Sequence, residues 1–279
     1  MKTIVAATDL GARSDRAVLR AAYLARQSGA RLCILHVIDD DLPGAILQSR
    51  SEEAERVLAQ MVADNALLTE VAPDIKVETG HIDRLLPEVL REVGADLLVV
   101  GGHRSRGLGD FLGKPTLSRL LRGITVPVIM ALARPEHAYA KVSVGWDFSP
   151  AGAAAARLAQ TVAPDAQITL VHAWQEVATG APYAFETGGS IPPEALARVQ
   201  SDVARAAADL SQDGRTVSAA KVDIGSAGHI LRRRAEAGDA DLIAMGQHAR
   251  TGLARLLLGA TAEDVALNAP CDVLIAPPG

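Results

Sequence analysis

The chain has 279 residues, 49% of them apolar and 22% charged, and a net charge of −5. At roughly 150 residues per domain this length favours two small domains over one large one, and each half is long enough to bury its own core. The acidic balance argues against capture of nucleic acid or an anionic membrane, and 3% aromatic residues leave few platforms for stacked bases. Apolar runs such as ADLLVV fall far short of the ~18 residues that a spanning helix needs. The opening MKTIVAATD meets an acid almost at once instead of an apolar leader core. A cytoplasmic protein is therefore expected. Cys33 and Cys271 sit in short apolar runs and read as small buried hydrophobes in a reducing compartment, with a disulfide left open.

The chain repeats itself. ADLLVVGGH (Ala95 to His103) matches ADLIAMGQH (Ala240 to His248) at an offset of 145, and KVETGHI (Lys76 to Ile82) meets KVDIGSA (Lys221 to Ala227) at the same offset. Upstream, ATDL meets GWDF and LHVID meets VHAWQ; downstream, TVPVIMA meets APCDVLIA. Order is kept throughout, as a tandem duplication requires.

In the first half, Ile4 to Ala7 reads as a short buried strand ending at Asp9. Ser14 is placed to cap a helix that Gly29 ends. Leu32 to Ile38 is strand two. Ser51 to about Val71 reads as one amphipathic helix with Glu52, Glu53 and Glu55 in its first turn. Ile75 to Thr79, a helix over Leu85 to Val93, and Leu97 to Val100 follow. After a glycine-rich loop come a short helix near Leu117 to Leu121 and a fifth strand, Val128 to Leu132. Arg134 to Ala140 is polar and reads as the linker. The second half repeats the order: Val142 to Gly145, a helix capped by Ser149 with Pro150 in its first turn, Ile168 to Ala173, a long helix Pro192 to Leu210, and Val217 to Val222. A helix over Ile230 to Ala237, Leu242 to Met245, Thr261 to Leu267 and Val273 to Ala276 complete it. Near-continuous apolar strands alternating with helices imply α/β domains with parallel, doubly wound sheets covered on both faces. Such sheets place a ligand at the carboxyl ends of their strands.

At one such end the second half reads Gly246-Gln247-His248-Ala249, with Gly259-Ala260-Thr261 following after nine further residues. Small residues at 246, 249 and 259 let a backbone approach an anion, and the amides of Gly259 to Ala262 open a helix whose dipole favours negative charge. Taken alone, such a loop also serves simply to turn the chain. His36 and His172 recur on strand two and read as structural hydrogen bonders, with no second metal ligand at suitable spacing. His103 and His248 recur in the loop, either facing a ligand or exposed. Gly113-Lys114 fails as a Walker A loop, because Leu108 and Pro115 replace the first glycine and the metal-binding hydroxyl. There is no Rossmann fingerprint after strand one and no G-x-S-x-G elbow.

These residues carry a family resemblance. Over essentially the whole chain, both halves resemble the universal stress protein domain, whose nucleotide-binding members show Gly, two residues, Gly, nine residues, Gly, then Ser or Thr. The second half has that spacing in Gly246, Ala249, Gly259 and Ala260, with the second glycine changed and the hydroxyl lost; Thr261 stands one place on. The resemblance implies two Rossmann-like five-stranded domains, residues 1–133 and 141–279, with strand order 3-2-1-4-5. It implies an adenine nucleotide, ATP or a relative, with or without Mg²⁺, held by Asp147 at the ribose, Ala173 at the adenine, and Gly246, His248, Ala249, Gly259, Ala260 and Thr261 at the phosphates. Asp9, Val37, Gly101, His103 and Gly113 are the first-half counterparts, but Arg104 takes the second glycine's place and Lys114 the third's. The expected role is a stress-response sensor or regulator acting mainly through the second half, with at most slow ATP hydrolysis and no catalytic or metal residues. The alternative is a non-nucleotide interaction scaffold with eroded sites. In single-domain members the fifth-strand edge forms a dimer, so the halves are expected to pair as an intramolecular pseudo-dimer, with a further homodimer left open. Expressed alone, each half is expected to self-associate or become insoluble.

Overall fold

A computed structural model describes residues 1–41, 43–102, 123–174, 192–211, 215–247 and 259–277. The first half runs β1 (Thr3–Thr8), α1 (Ser14–Ser28), β2 (Arg31–Ile38), α2 (Gly44–Ala63), α3 (Ala66–Val71), β3 (Asp74–Thr79), α4 (Ile82–Glu92), β4 (Leu97–Gly101) and β5 (Val128–Ala131). The second runs β6 (Lys141–Gly145), α5 (Pro150–Val162), β7 (Gln167–Val171), β8 (Ala173–Trp174), α6 (Pro193–Leu210) and β9 (Val217–Ala219). It continues through β10 (Asp223–Ile224), α7 (Ala227–Glu236), β11 (Leu242–Gly246), α8 (Ala260–Asn268) and β12 (Asp272–Ala276).

Ten strands form one sheet in the order β3-β2-β1-β4-β5-β12-β11-β6-β7-β9. Each half therefore contributes the expected 3-2-1-4-5 order, parallel throughout, and the two join where β5 meets β12 antiparallel. Strand alternation sorts the side chains onto two faces. Ile4 and Ala6 pack with α1, α2, α3, α5 and α6, while Val5, Leu98 and Ile243 pack with α4, α7 and α8. Both faces are covered, as the apolar strands require. Among the described residues no helix is long and apolar enough to cross a membrane.

Several boundaries differ from the sequence expectation, each for a local reason. The helix expected over Ser51 to Val71 starts at Gly44 and breaks at Asn65, whose side chain accepts from the amides of Leu67 and Leu68 and caps α3. Glu52, Glu53 and Glu55 consequently lie mid-helix. Ser14 is the first helical residue rather than the cap; its hydroxyl instead bonds Thr8, Asp9 and the Gly11 carbonyl. Ser149 does cap, accepting from the Gly152 amide at 3.0 Å. Strand Ile168 to Ala173 is interrupted at His172, and Val217 to Val222 stops at Ala219, because β8 and β10 leave the main sheet and pair with each other. Helices α4 and α7 each begin three residues early. The short helix expected near Leu117 to Leu121 lies outside the described residues.

The linker is more than a spacer. Tyr139 within it is buried and donates to Asp272 Oδ2 at 2.7 Å, and Arg20 Nε of α1 meets the same oxygen at 2.9 Å. The Arg20 guanidinium lies 4.3 Å over the Tyr139 ring and donates to the His137 carbonyl. Asp272 Oδ1 accepts from the amides of Leu132 and Ala133. Asp272 is wholly buried and Arg20 4% exposed. A second device repeats in both halves: Asp96 accepts from the amides of Lys2 and Thr3, as Asp241 does from Ala140 and Lys141.

Two outcomes follow from this packing. Asp272→Ala strips a buried arginine of its counter-charge and is expected to cost about 3–5 kcal/mol in urea unfolding. Cys33 and Cys271 are free thiols, both pushed up by burial, Cys271 to about 12 with Asp272 adding to the effect. Both are therefore expected to resist a thiol reagent at pH 8 until the chain is unfolded, when two equivalents should react.

Candidate functional site

The carboxyl ends of the strands carry a hollow in each half. In the second half a cavity of about 190 Å³ is lined by Asp147, His172, Ala173, Gly246, Gly259 and Thr261, with Trp146, Leu231 and Met245 as apolar wall. In the first half one of about 650 Å³ is lined by Asp9, Arg13, Ser14, His36, Val37 and Gly101 among others. Five of the expected second-half residues and three of the first-half ones thus meet at one place each. Ala260 heads α8 without lining the cavity. His248, Ala249, His103 and Gly113 lie outside the described residues, as do Arg104 and Lys114.

The two sites are built alike. After β1 and β6 the chain turns through a left-handed residue, Leu10 at φ 59° and Phe148 at φ 61°. For non-glycine residues that conformation costs about 1–2 kcal/mol. The turn folds each aspartate back on its own loop. Asp9 Oδ1 accepts from the Gly11 amide at 3.0 Å and the Ser14 hydroxyl at 2.7 Å; Asp147 Oδ1 accepts from the Ser149 amide at 3.0 Å and its hydroxyl at 2.6 Å. The carboxylates are thereby fixed at the cavity rims. The strand-two histidines are structural, as expected. His36 Nδ1 lies 2.9 Å from the Thr8 carbonyl and His172 Nδ1 2.7 Å from that of Trp146. A carbonyl only accepts, so Nδ1 carries the proton in both.

Ala173 has backbone groups free of the β8–β10 pairing. The amides of Asp223 and Gly225 in and beside β10 go to the carbonyls of His172 and Trp174, the residues flanking it. Backbone groups alternate along a parallel strand, so those of Ala173 face away from β10. On that side β6 has already ended, its last bond running from the Trp146 amide to Val171. Also on the lining, Gly259 stands at the N-cap of α8 and, having no side chain, cannot itself cap the first amides of that helix.

The first glycine of each loop has a second duty. A Cβ on Gly246 would lie 2.6 Å from the Ala151 carbonyl carbon, and one on Gly101 3.0 Å from the Arg13 carbonyl oxygen. The fourth strand of each half can run past the start of the helix that follows the first strand, α1 or α5, only because neither residue has a side chain.

Sequence reasoning missed three features. Trp146, beside Asp147, is part of the cavity wall, and its buried indole N–H meets no acceptor among the described residues. Phe148 is 47% exposed and packs edge-on against His172 at 5.1 Å. Asp39, Asp40, Asp41 and His81 gather at the end of β2 with potential ligand atoms within 4.8 Å, all exposed, the imidazole 3.5 Å from Asp40 and 3.7 Å from Asp39. The adjacency in sequence of the three aspartates was a signal; the distance of His81 along the chain hid the fourth.

Comparison with known proteins matches the model of the universal stress protein family twice, over residues 1–131 and 138–277. The chain belongs to the universal stress protein family. A family relative from Mycolicibacterium smegmatis is 27% identical over 301 aligned positions, covering 99% of this chain and 97% of that one. Universal stress protein A homolog 1 of Coxiella burnetii is 33% identical over 121 residues, 40% of this chain and 83% of its own. Among solved structures, a universal stress protein from Archaeoglobus fulgidus aligns with a TM-score of 0.72 at 18% identity, covering 99% and 98% of the two chains. At that identity the match speaks for the fold: two family domains in tandem.

The glycine contacts rank two substitutions. Gly246→Ala is expected to destabilise by about 1–3 kcal/mol, the range for overpacking, and Gly101→Ala, with its looser approach, by less. Thermal unfolding of the two variants checks the order.

Proposed function

We propose that this family member is a cytoplasmic stress-response protein that binds an adenine nucleotide, ATP or a relative, chiefly through its second domain, taking residues 1–133 and 141–279 as the two domains. The observation that carries the reading is the meeting of Asp147, Ala173, Gly246, Gly259 and Thr261 around one cavity, with Gly259 at the N-terminus of α8. The chemistry fits the group. A fixed carboxylate suits ribose hydroxyls, outward-facing backbone at Ala173 suits an adenine edge, and the first-turn amides of α8 suit phosphate oxygens. Trp146, Leu231 and Met245 offer the base an apolar wall. Asp147 is the one carboxylate lining this cavity among the described residues, so Mg²⁺, if it accompanies the nucleotide, would rely largely on phosphate and water.

The first domain supports the same ligand class, because its cavity is the roomier and keeps Asp9, Val37 and Gly101. Its loop carries Arg104 and Lys114 where small residues belong, which is why the second domain is preferred.

Calorimetry with ATP on the full chain tests the reading. Asp147→Ala is expected to weaken binding about 10-fold or more, the loss of a hydrogen bond to a charged group, and Asp9→Ala to do less. The reverse ranking moves the principal site to the first domain. An absence of adenine-nucleotide binding, with none released from purified protein on denaturation, favours the interaction scaffold instead.

A further inference from the structure

The two halves meet at equivalent positions. Ile129 pairs with Leu274, its own counterpart at the offset of 145, so the pseudo-two-fold axis passes through that pair. A symmetric junction would place the same groups on both sides of the axis. This one does not. By the same offset the counterpart of Asp272 is Pro127. The helices α1 and α5 correspond at the offset of 138 that relates Asp9 to Asp147, since the backbone of Arg13 approaches Gly101 as that of Ala151 approaches Gly246. The counterpart of Arg20 is then Leu158. One side of the junction holds a buried ion pair closed by Tyr139; the other holds a proline and a leucine in the corresponding places.

We infer that the Arg20–Asp272 pair is a pairing code, which makes the fifth-strand edge of each half fit the other half and reject a second copy of itself. Two first halves joined about the same axis would face each Arg20 with Pro127, leaving two buried guanidiniums without a carboxylate. Two second halves would face each Asp272 with Leu158, leaving two buried carboxylates without a cation. An uncompensated buried charge disfavours a state by about 100- to 4,000-fold, and each like pair carries two. The unlike pair carries none. This revises the expectation that separated halves would freely self-associate: the apolar edge is open to pairing, but the charge beside it selects the partner. It also accounts for burying charges at a junction that apolar residues would fill, since such pairs contribute little net stability yet penalise every mismatched arrangement.

The test starts from the intact protein. A protease site is inserted after Arg134, an exposed residue of the linker. The folded chain is cut, unfolded in urea and refolded, and the dimers are weighed by native mass spectrometry, the halves differing in mass. Wild-type protein is expected to give unlike pairs with like pairs below about 1%, the consequence of a penalty of at least 100-fold. The variant Arg20→Met/Asp272→Asn removes both charges but keeps an acceptor for the Leu132 and Ala133 amides; it is expected to move towards the statistical proportion of like pairs. Like pairs abundant in the wild type overturn the inference, as does a double variant that still forms unlike pairs alone. Where the cut halves refold poorly, isotope-labelled and unlabelled cut wild-type protein are mixed without denaturant. Any like-half dimer carrying both labels then counts against the code, and its absence at equilibrium supports it.

Discussion

A carboxylate with no exposure to solvent lies at the junction of the two halves, and four donors converge on it. Arg20 and Tyr139 take one oxygen of Asp272 while the amides of Leu132 and Ala133 take the other. The donors come from α1, from the end of β5 and from the linker, whereas Asp272 itself begins β12. A single residue thus ties a first-half helix, the chain crossing between halves and a second-half strand. The continuous ten-stranded sheet depends on that crossing being held, because β5 and β12 share only three paired positions. So short an antiparallel seam needs help from side chains, and the help is ionic on one flank alone.

Much of the fold could be read from the sequence, because its signals were local. Apolar strand runs, Gly29 at a left-handed cap and Ser149 with Pro150 each act within a few residues of themselves. The strand order and the seam followed from the resemblance and from the need to cover an apolar edge. What escaped was set by distant partners. Asp272 looks like an ordinary acid before a strand until Arg20, 252 residues away, is placed beside it. Tyr139 sits in a segment whose composition reads as solvent-exposed linker. The break at Asn65 was hidden because apolar residues continue on both sides of it, so periodicity ran straight through a capping side chain. The departure of β8 and β10 from the main sheet is a pairing decision, which propensity does not encode.

The candidate sites divide in the same way. Their aspartates, at the strand ends, were assigned through the resemblance, and the structure adds why each is rigid: a left-handed Leu10 or Phe148 throws the next amide back onto the carboxylate. The strain recurs at matching places in both halves, so the turn is a property of the repeat rather than of one loop. Of the residues that form the wall, Trp146 stands just past β6 and Met245 lies within β11, and neither carried a separate signal of facing a ligand.

The glycine pattern itself mixes two requirements that the structure separates. Its first position, Gly101 or Gly246, is demanded by the fold, since a side chain there would collide with the backbone opening α1 or α5, the helix after the first strand of that half. Both halves keep it. The later positions, Arg104 against Ala249 and Lys114 against Gly259, are where the halves diverge. A domain can therefore lose the small residues of its loop and still form the same sheet, with the same aspartate turn and the same histidine bond to the strand-one end. Retention of the first glycine says that the fold is intact and says nothing of a ligand. The two cavities differ both at these later positions and in their walls, where Trp146, Leu231 and Met245 line one and Arg13 and Ser14 line the other, so similar frameworks carry chemically different linings.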